Sequence, residues 1–306
     1  MSTAAPPVAH QVAVKALRWL RTNQRLGAMP PNTTADIAEP NNTYKPLSEN
    51  ALAASLVLRE GVAEPADLHA AEDILDFAWR ELRAGDLLYE RALLHTLMTD
   101  PLEVYAHFVR CGRRHPNLDQ LLAHQTRLRS VRAIEVLSNR KLAIANAARI
   151  VGLDYGHDWD ILTATTWLGA IPEPWTIDWM TAYHMTHTVF HLTDWGAHPN
   201  GLNAEITSYL QTWLPVWIEV WLEIGQWDLV GELLIVGACL DEPYRDPEHW
   251  AAFAAVQHDD GLVPRDTEPV DGTPEQVFTE QQHTAVVAIV AGTLATARTS
   301  NSPSRT

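Results

Sequence analysis

Four of the chain's 14 histidines fall in one short stretch, AYHMTHTVFHLTDWGAH, at residues 182–198. Asp194 stands among them. Taking residues 175–195 as one helix, Thr176 is the expected N-cap and Gly196 the expected residue past the C-terminus. At about 100° per residue, with His184 at zero, His187 falls near about 300°, His191 near about 340° and Asp194 near about 280°. These side chains share one arc, with Tyr183 at its edge, while Met185, Val189 and Leu192 point elsewhere.

Three chemistries fit that arc. It is a solvated polar stripe, since histidine and aspartate are usually exposed. It binds a divalent metal such as Zn or Fe through His187, His191 and Asp194, because the i, i+4 histidine spacing is that of helical metal sites. The glutamate of an HExxH helix is missing, with Thr188 in its place. Or it lines a pocket for acid–base work, with an Asp–His pair fixing one tautomer while a second histidine acts as acid. The third reading is adopted, with no cofactor favoured. Its catalytic set is His184, His187, His191, Asp194 and His283, the last early in the final amphipathic helix. Tyr183, Trp195, Gln257, Arg129 and Arg132 are the expected substrate contacts.

Helical periodicity supplies the scaffold. Helices are expected at 12–24, 49–60 with Ser48 as cap, 65–84, 87–98, 101–114, 117–137 with a break near Ser130, 139–151, 158–168, 175–195, 203–224 kinked at Pro215, 226–240, 246–258 and 274–297. The stretch GAMPPNTTADIAEPNNTYKPL interrupts them with four prolines. Alternating strand patterns are absent. The expectation is an all-α chain of roughly a dozen helices in antiparallel pairs. It forms a single domain over 11–297, between a disordered N-terminus at 1–10 and a disordered tail at 298–306.

Charge and composition narrow the partners. The net charge of −16 argues against nucleic acid and anionic membranes. No apolar run is long enough for a membrane span, and MSTAAPPVAH lacks the apolar segment of a secretory signal. Cys111 and Cys239 form no CxxC pair, which fits a cytoplasmic protein. Nine of the 22 basic residues lie in 110–149 against two acids, a positive region suited to a small anionic substrate. Residues 241–280 hold 11 acids and two arginines, and suit a homodimer or a partner protein of the same pathway. Ten of 12 tryptophans lie between Trp159 and Trp250, as core or as the wall of an apolar cavity. Nucleotide fingerprints and a GxSxG elbow are absent.

Gln257, Asp260 and Gly261 resemble the Q-x-x-D-G turn of α/α-toroid proteins, the terpene-cyclase and protein-prenyltransferase-like class. That resemblance implies helix pairs around a central cavity. The catalytic DxDD and DDxxD motifs of that class are missing. The combination of Tyr183, His184, Thr186, His187, Phe190, Thr193, Asp194, Trp195 and Gly196 with Gln257, Asp260, Gly261, Gln282, His283 and Thr284 is similar to an uncharacterised group of actinobacterial helical proteins. That likeness implies secondary metabolism, including aziridine-type ring formation. The expected function is a biosynthetic lyase or cyclase, performing elimination or intramolecular ring closure on a small anionic metabolite. The alternatives are a Zn or Fe hydrolase or oxygenase on the same helix, and a non-catalytic subunit of a biosynthetic complex.

Overall fold

The computed structural model describes residues 7–36 and 43–300. Among the described residues every regular element is helical: α1 Val8–Asn23, α2 Tyr44–Glu60, α3 Pro65–Glu81, α4 Asp86–Leu94, α5 Asp100–Arg110, α6 Pro116–Gln125, α7 Arg129–Arg132, α8 Ser138–Val151, α9 Trp159–Ala164, α10 Trp179–Thr193, α11 Ala204–Ile224, α12 Trp227–Cys239, α13 Pro247–Ala255 and α14 Pro274–Ser300. The all-α class follows directly. None of these helices is long and apolar enough to cross a membrane. Residues 8–10, expected to precede the domain, belong to α1, and α14 carries on through residue 300. Residues 1–6 and 301–306 of the expected tails, and 37–42 of the proline-rich stretch, lie outside the described residues.

Local chemistry sets the helix ends, and several differ from expectation: the helix expected over 117–137 ends at Gln125, and α2 and α10 begin elsewhere. Helix α2 starts at Tyr44, upstream of Ser48, because Tyr44 and Leu47 are buried and Pro46 sits in the first turn, where no intrahelical N–H bond is lost. Helix α10 starts after Asp178, not Thr176. The Asp178 carboxylate accepts from Thr181 N at 2.8 Å, and the Thr181 hydroxyl accepts from Asp178 N at 2.7 Å, a reciprocal capping box. Its other end comes early too. Asp194 and Trp195 adopt left-handed conformations, φ 45° and 54°, so the helix stops at Thr193. Helix α11 continues as one helix through Pro215.

Six helices pack in a closed cycle: α2 on α5, α5 on α8, α8 on α10, α10 on α12, α12 on α14, and α14 back on α2. The others lie against this cycle. Helix α1 packs on α14 and α3, α3 on α2, α4 on α5, α9 on α8, α11 on α12, and α13 on α1. One continuous hydrophobic cluster runs from Ala9 to Leu294. Helix α12 is its most enclosed member: every residue from Asp228 to Cys239 is buried. A helix apolar on all sides requires such a position. Asp228 and Glu232 go into the interior with it.

The Gln257 turn serves the fold. Its side-chain Nε2 donates to Val12 O at 3.1 Å and Gly261 O at 3.0 Å. Gly261 has φ +102°, and a Cβ there would lie 2.2 Å from Lys15 O. The turn therefore fastens the end of α13 to α1. Gln257 was expected to bind substrate, but its amide is committed to backbone carbonyls.

Helices α1 and α14 approach closely at Gly292, where a Cβ would meet Ala9 O at 2.2 Å. Backbone cannot yield as a flexible side chain does. Gly292→Ala is therefore expected to destabilise the fold by about 1–3 kcal/mol, read as a lower urea midpoint at unchanged slope.

Candidate functional site

Helix α10 presents His187 and His191 to a cavity of about 130 Å³. Glu49 of α2, Arg140 of α8, Glu232 of α12 and His283 of α14 also line it. The rest of its wall is Leu52, Phe190, Trp195, Ile235, Val286, Val287 and Val290, apolar except for the indole N–H. A second cavity of about 110 Å³ shares Leu52, His191 and Trp195 with the first.

The polar floor is a tight cluster. Asp228 and Glu232 sit four residues apart on α12, each about 2 % exposed. His283 Nδ1 lies 3.0 Å from Glu49 Oε1. Its Nε2 lies 3.6 Å from Asp228 Oδ2 and 3.7 Å from Glu232 Oε1. His187 Nε2 lies 3.5 Å from the same Glu232 oxygen. Hydroxyl donors also reach both carboxylates. Tyr183 donates to Asp228 Oδ2 at 2.5 Å, Thr284 to Asp228 Oδ1 at 3.1 Å, and Thr186 to Glu232 Oε2.

Charge in this cluster follows burial and proximity. Burial opposes a charge on His283, but Asp228, Glu49 and Glu232 outweigh it and hold the imidazole well above its ordinary value. Burial also opposes the Glu232 charge, yet His187 and His283 hold that carboxyl at about 2. Burial pushes Asp228 up, against the attraction of His283. Burial, Asp228 and Glu232 push the Tyr183 hydroxyl far up, so it remains a donor. His191 behaves oppositely to His283. Burial, then His187 and Arg140, drive it well below the ordinary imidazole value, so it is neutral.

The sequence-expected residues divide clearly. His187, His191, His283 and Trp195 meet at the cavity, with Trp195 stacked on Phe190 at 4.4 Å between centroids. Tyr183 supports the floor through Asp228. His184 is half-buried and does not line the cavity. Asp194 is a correction. Its left-handed backbone takes it off the helical arc, away from His191 and toward Arg110. Arg110 Nη2 lies 2.6 Å from Asp194 Oδ1, and Asn146 Nδ2 donates to the same oxygen at 3.3 Å. Arg59 donates to the main-chain oxygens of Asp194 and Trp195. Asp194 therefore fixes the end of α10, and His187, His191 and Asp194 do not converge as metal ligands. Arg129 and Arg132 are exposed, and Arg132 Nε donates to Thr126 O. From the arginine-rich segment it is Arg140 that reaches the first cavity, paired with Glu103 at 2.7 Å.

Sequence reasoning missed Glu49, Asp228, Glu232, Arg140 and His107. The stretch WDLVGELLIVGAC did carry a signal, two acids at i, i+4 spacing inside an otherwise apolar helix. Glu49 carried none, being one acid among 38. His107 lines the second cavity, where its Nδ1 is buried without a hydrogen-bond partner among the described residues. Burial and Arg110 hold it at about 3, so it is neutral.

A family model described as "Domain of unknown function (DUF6895)" matches residues 13–293. No curated protein and no solved structure matches the chain.

The role of Asp194 has a distinct signature. Burial opposes its charge, but Arg110 and Arg59 hold its carboxyl below the ordinary aspartate value of 3.8. The unfolded chain therefore binds the proton more readily, and the pair's contribution is complete above that value. It is lost as pH falls through the lower folded-state value. Asp194→Asn, which leaves Arg110 buried without its counter-charge, is expected to cost about 3 kcal/mol near neutral pH. Its deficit against the parent protein should shrink as the medium is taken to about pH 3, measured by thermal unfolding.

Proposed function

The chain belongs to the DUF6895 family, and for it we propose an enzyme that carries out acid–base elimination or intramolecular ring closure on a small metabolite. The observation that carries this reading is convergence. Glu49, His187, His191, Glu232 and His283 come from four helices to one cavity whose remaining wall is apolar apart from Arg140 and the Trp195 indole N–H. A small concave pocket with a few converging titratable groups is the ordinary form of a small-molecule site. The closed cycle of helices around it supports the α/α-toroid-like arrangement implied by the Q-x-x-D-G resemblance.

In the proposed reaction His187, facing the Glu232 carboxylate, takes a proton from the bound molecule. The electron pair left behind forms the new ring bond or double bond. The leaving group departs with its own pair toward Arg140, the one guanidinium in the lining. His191 stays neutral and supplies a hydrogen bond without adding charge. The apolar wall excludes water, which strengthens each of these interactions. The carboxylate-rich floor revises the anionic substrate expected from the arginine-rich segment. The anionic part of the molecule belongs at the Arg140 end, and the proton-donating part belongs at the Glu232 end.

The test is to incubate the protein with a pool of polar metabolites and follow it by mass spectrometry. The parent protein is expected to convert at least one compound to an unsaturated or ring-closed product lighter by the mass of its leaving acid. His187→Ala, at a half-exposed position that tolerates truncation, is expected to slow that conversion about 10²–10⁴-fold. Equal conversion by a folded His187→Ala variant, or no conversion by the parent protein, overturns the reading.

A further inference from the structure

We propose that Asp228, Glu232 and His283 bind one divalent cation of the zinc or manganese type at the floor of the cavity. This deepens the reading above and rests on that cavity being the working site.

The first support is spacing. One ligand atom from each residue can be chosen so that all three lie within 4.8 Å of one another. His283 Nε2 is 3.6 Å from Asp228 Oδ2 and 3.7 Å from Glu232 Oε1. Nitrogen and oxygen ligands that each sit about 2.0–2.2 Å from one ion are about 3–4 Å from each other. Among the described residues this is the one group of histidine, cysteine and acid side chains that converges so.

The second support is independent of that spacing. Each of the three side chains is oriented by a partner outside the group. Glu49 Oε1 accepts from His283 Nδ1 at 3.0 Å, which leaves Nε2 turned to the two carboxylates. A carboxylate behind the far ring nitrogen is what usually fixes a metal-binding histidine. Tyr183 and Thr284 hold Asp228, and Thr186 holds Glu232 Oε2, leaving Oε1 toward the imidazoles. Among the described residues Glu232 Oε1 and His283 Nε2 carry no hydroxyl partner, and Asp228 Oδ2, which also accepts from Tyr183, lies 3.6 Å from that same nitrogen.

Charge and access agree. Glu49, Asp228 and Glu232 bring three carboxylates against the imidazoles of His187 and His283; Lys45 Nζ lies 3.7 Å from Glu49 Oε1, and among the described residues no lysine or arginine forms an ion pair with Asp228 or Glu232. Glu232 and His283 both open to the cavity. Two carboxylates and one imidazole are donors that suit zinc or manganese and leave a coordination position free for a bound molecule. A cation held there polarises an oxygen of that molecule or acidifies a bound water.

Calorimetric titration of the chelator-treated full chain with Zn²⁺, and separately with Mn²⁺, tests this. One site per chain is expected for at least one ion. Glu232→Gln and Asp228→Asn, which keep the hydroxyl contacts, are expected to weaken binding about 100-fold or more. Glu49→Gln, which touches no ion, is expected to weaken it about 10–100-fold. Co²⁺ loading should give d–d absorption that Glu232→Gln lacks. Should Glu232→Gln fail to fold, the Asp228→Asn and Glu49→Gln titrations decide. Uptake of neither ion by the parent chain, or uptake that the folded variants leave unchanged, overturns the site. The titration needs no substrate. Ion binding without metabolite conversion overturns the proposed reaction alone, and conversion without ion binding overturns the cation site alone.

Discussion

Two carboxylates on a helix buried along its whole length govern the arrangement of the others. A charged or even neutral carboxyl in a packed interior costs several kcal/mol unless its oxygens are satisfied. Helix α12 carries Asp228 and Glu232 into that interior, and among the described residues their side-chain donors come from outside α12. The donors come from neighbours: Tyr183 and Thr186 from α10, His283 and Thr284 from α14. The registers of α10 and α14 against α12 are thereby tied to the site. Glu49 extends the set to α2 by pairing with His283. Four members of the closed helix cycle are bound to one another through polar contacts at the same floor.

Other charges do a separate job. The arginine-rich segment mostly builds structure. Arg110 pairs with Asp194, Arg113 with Glu72 and Asp76, and Arg114 with Asp119. Arg149 lies over the Trp159 ring at 4.8 Å and donates to Asn146. Exposed pairs of this kind contribute little individually. The Arg110–Asp194 pair is different because it is buried, and it fixes the point where α10 ends. That point decides where Trp195 goes. The indole turns back onto Phe190 and becomes the wall shared by both cavities.

The two cavity histidines of α10 illustrate how position outweighs residue type. His187 and His191 are one turn apart on one face. His187 has a carboxylate facing it, whereas burial, reinforced by His187 and nearby cations, drives His191 neutral. His283, enclosed by three acids, is driven the other way. One sequence signal, a histidine on an otherwise apolar helix, therefore stands for three different electrostatic situations.

What the sequence determined by itself was local. The 3.6-residue periodicity established an all-helical chain, because an amphipathic pattern depends only on neighbours within a turn or two. It also placed His187 and His191 on one face, since their spacing along α10 needs no tertiary information. The same extrapolation failed three residues later at Asp194, where a contact with Arg110, 84 positions away, accompanies the left-handed turn. Asp228 and Glu232 were visible as two acids in an apolar run, but nothing nearby in the chain says which neighbours will satisfy them. Glu49 lies 234 positions from its partner His283, and no spacing rule spans that distance. The tertiary structure alone decided which polar residues meet, because a buried charge selects its partners through space and local pattern reports only on the helix that carries it.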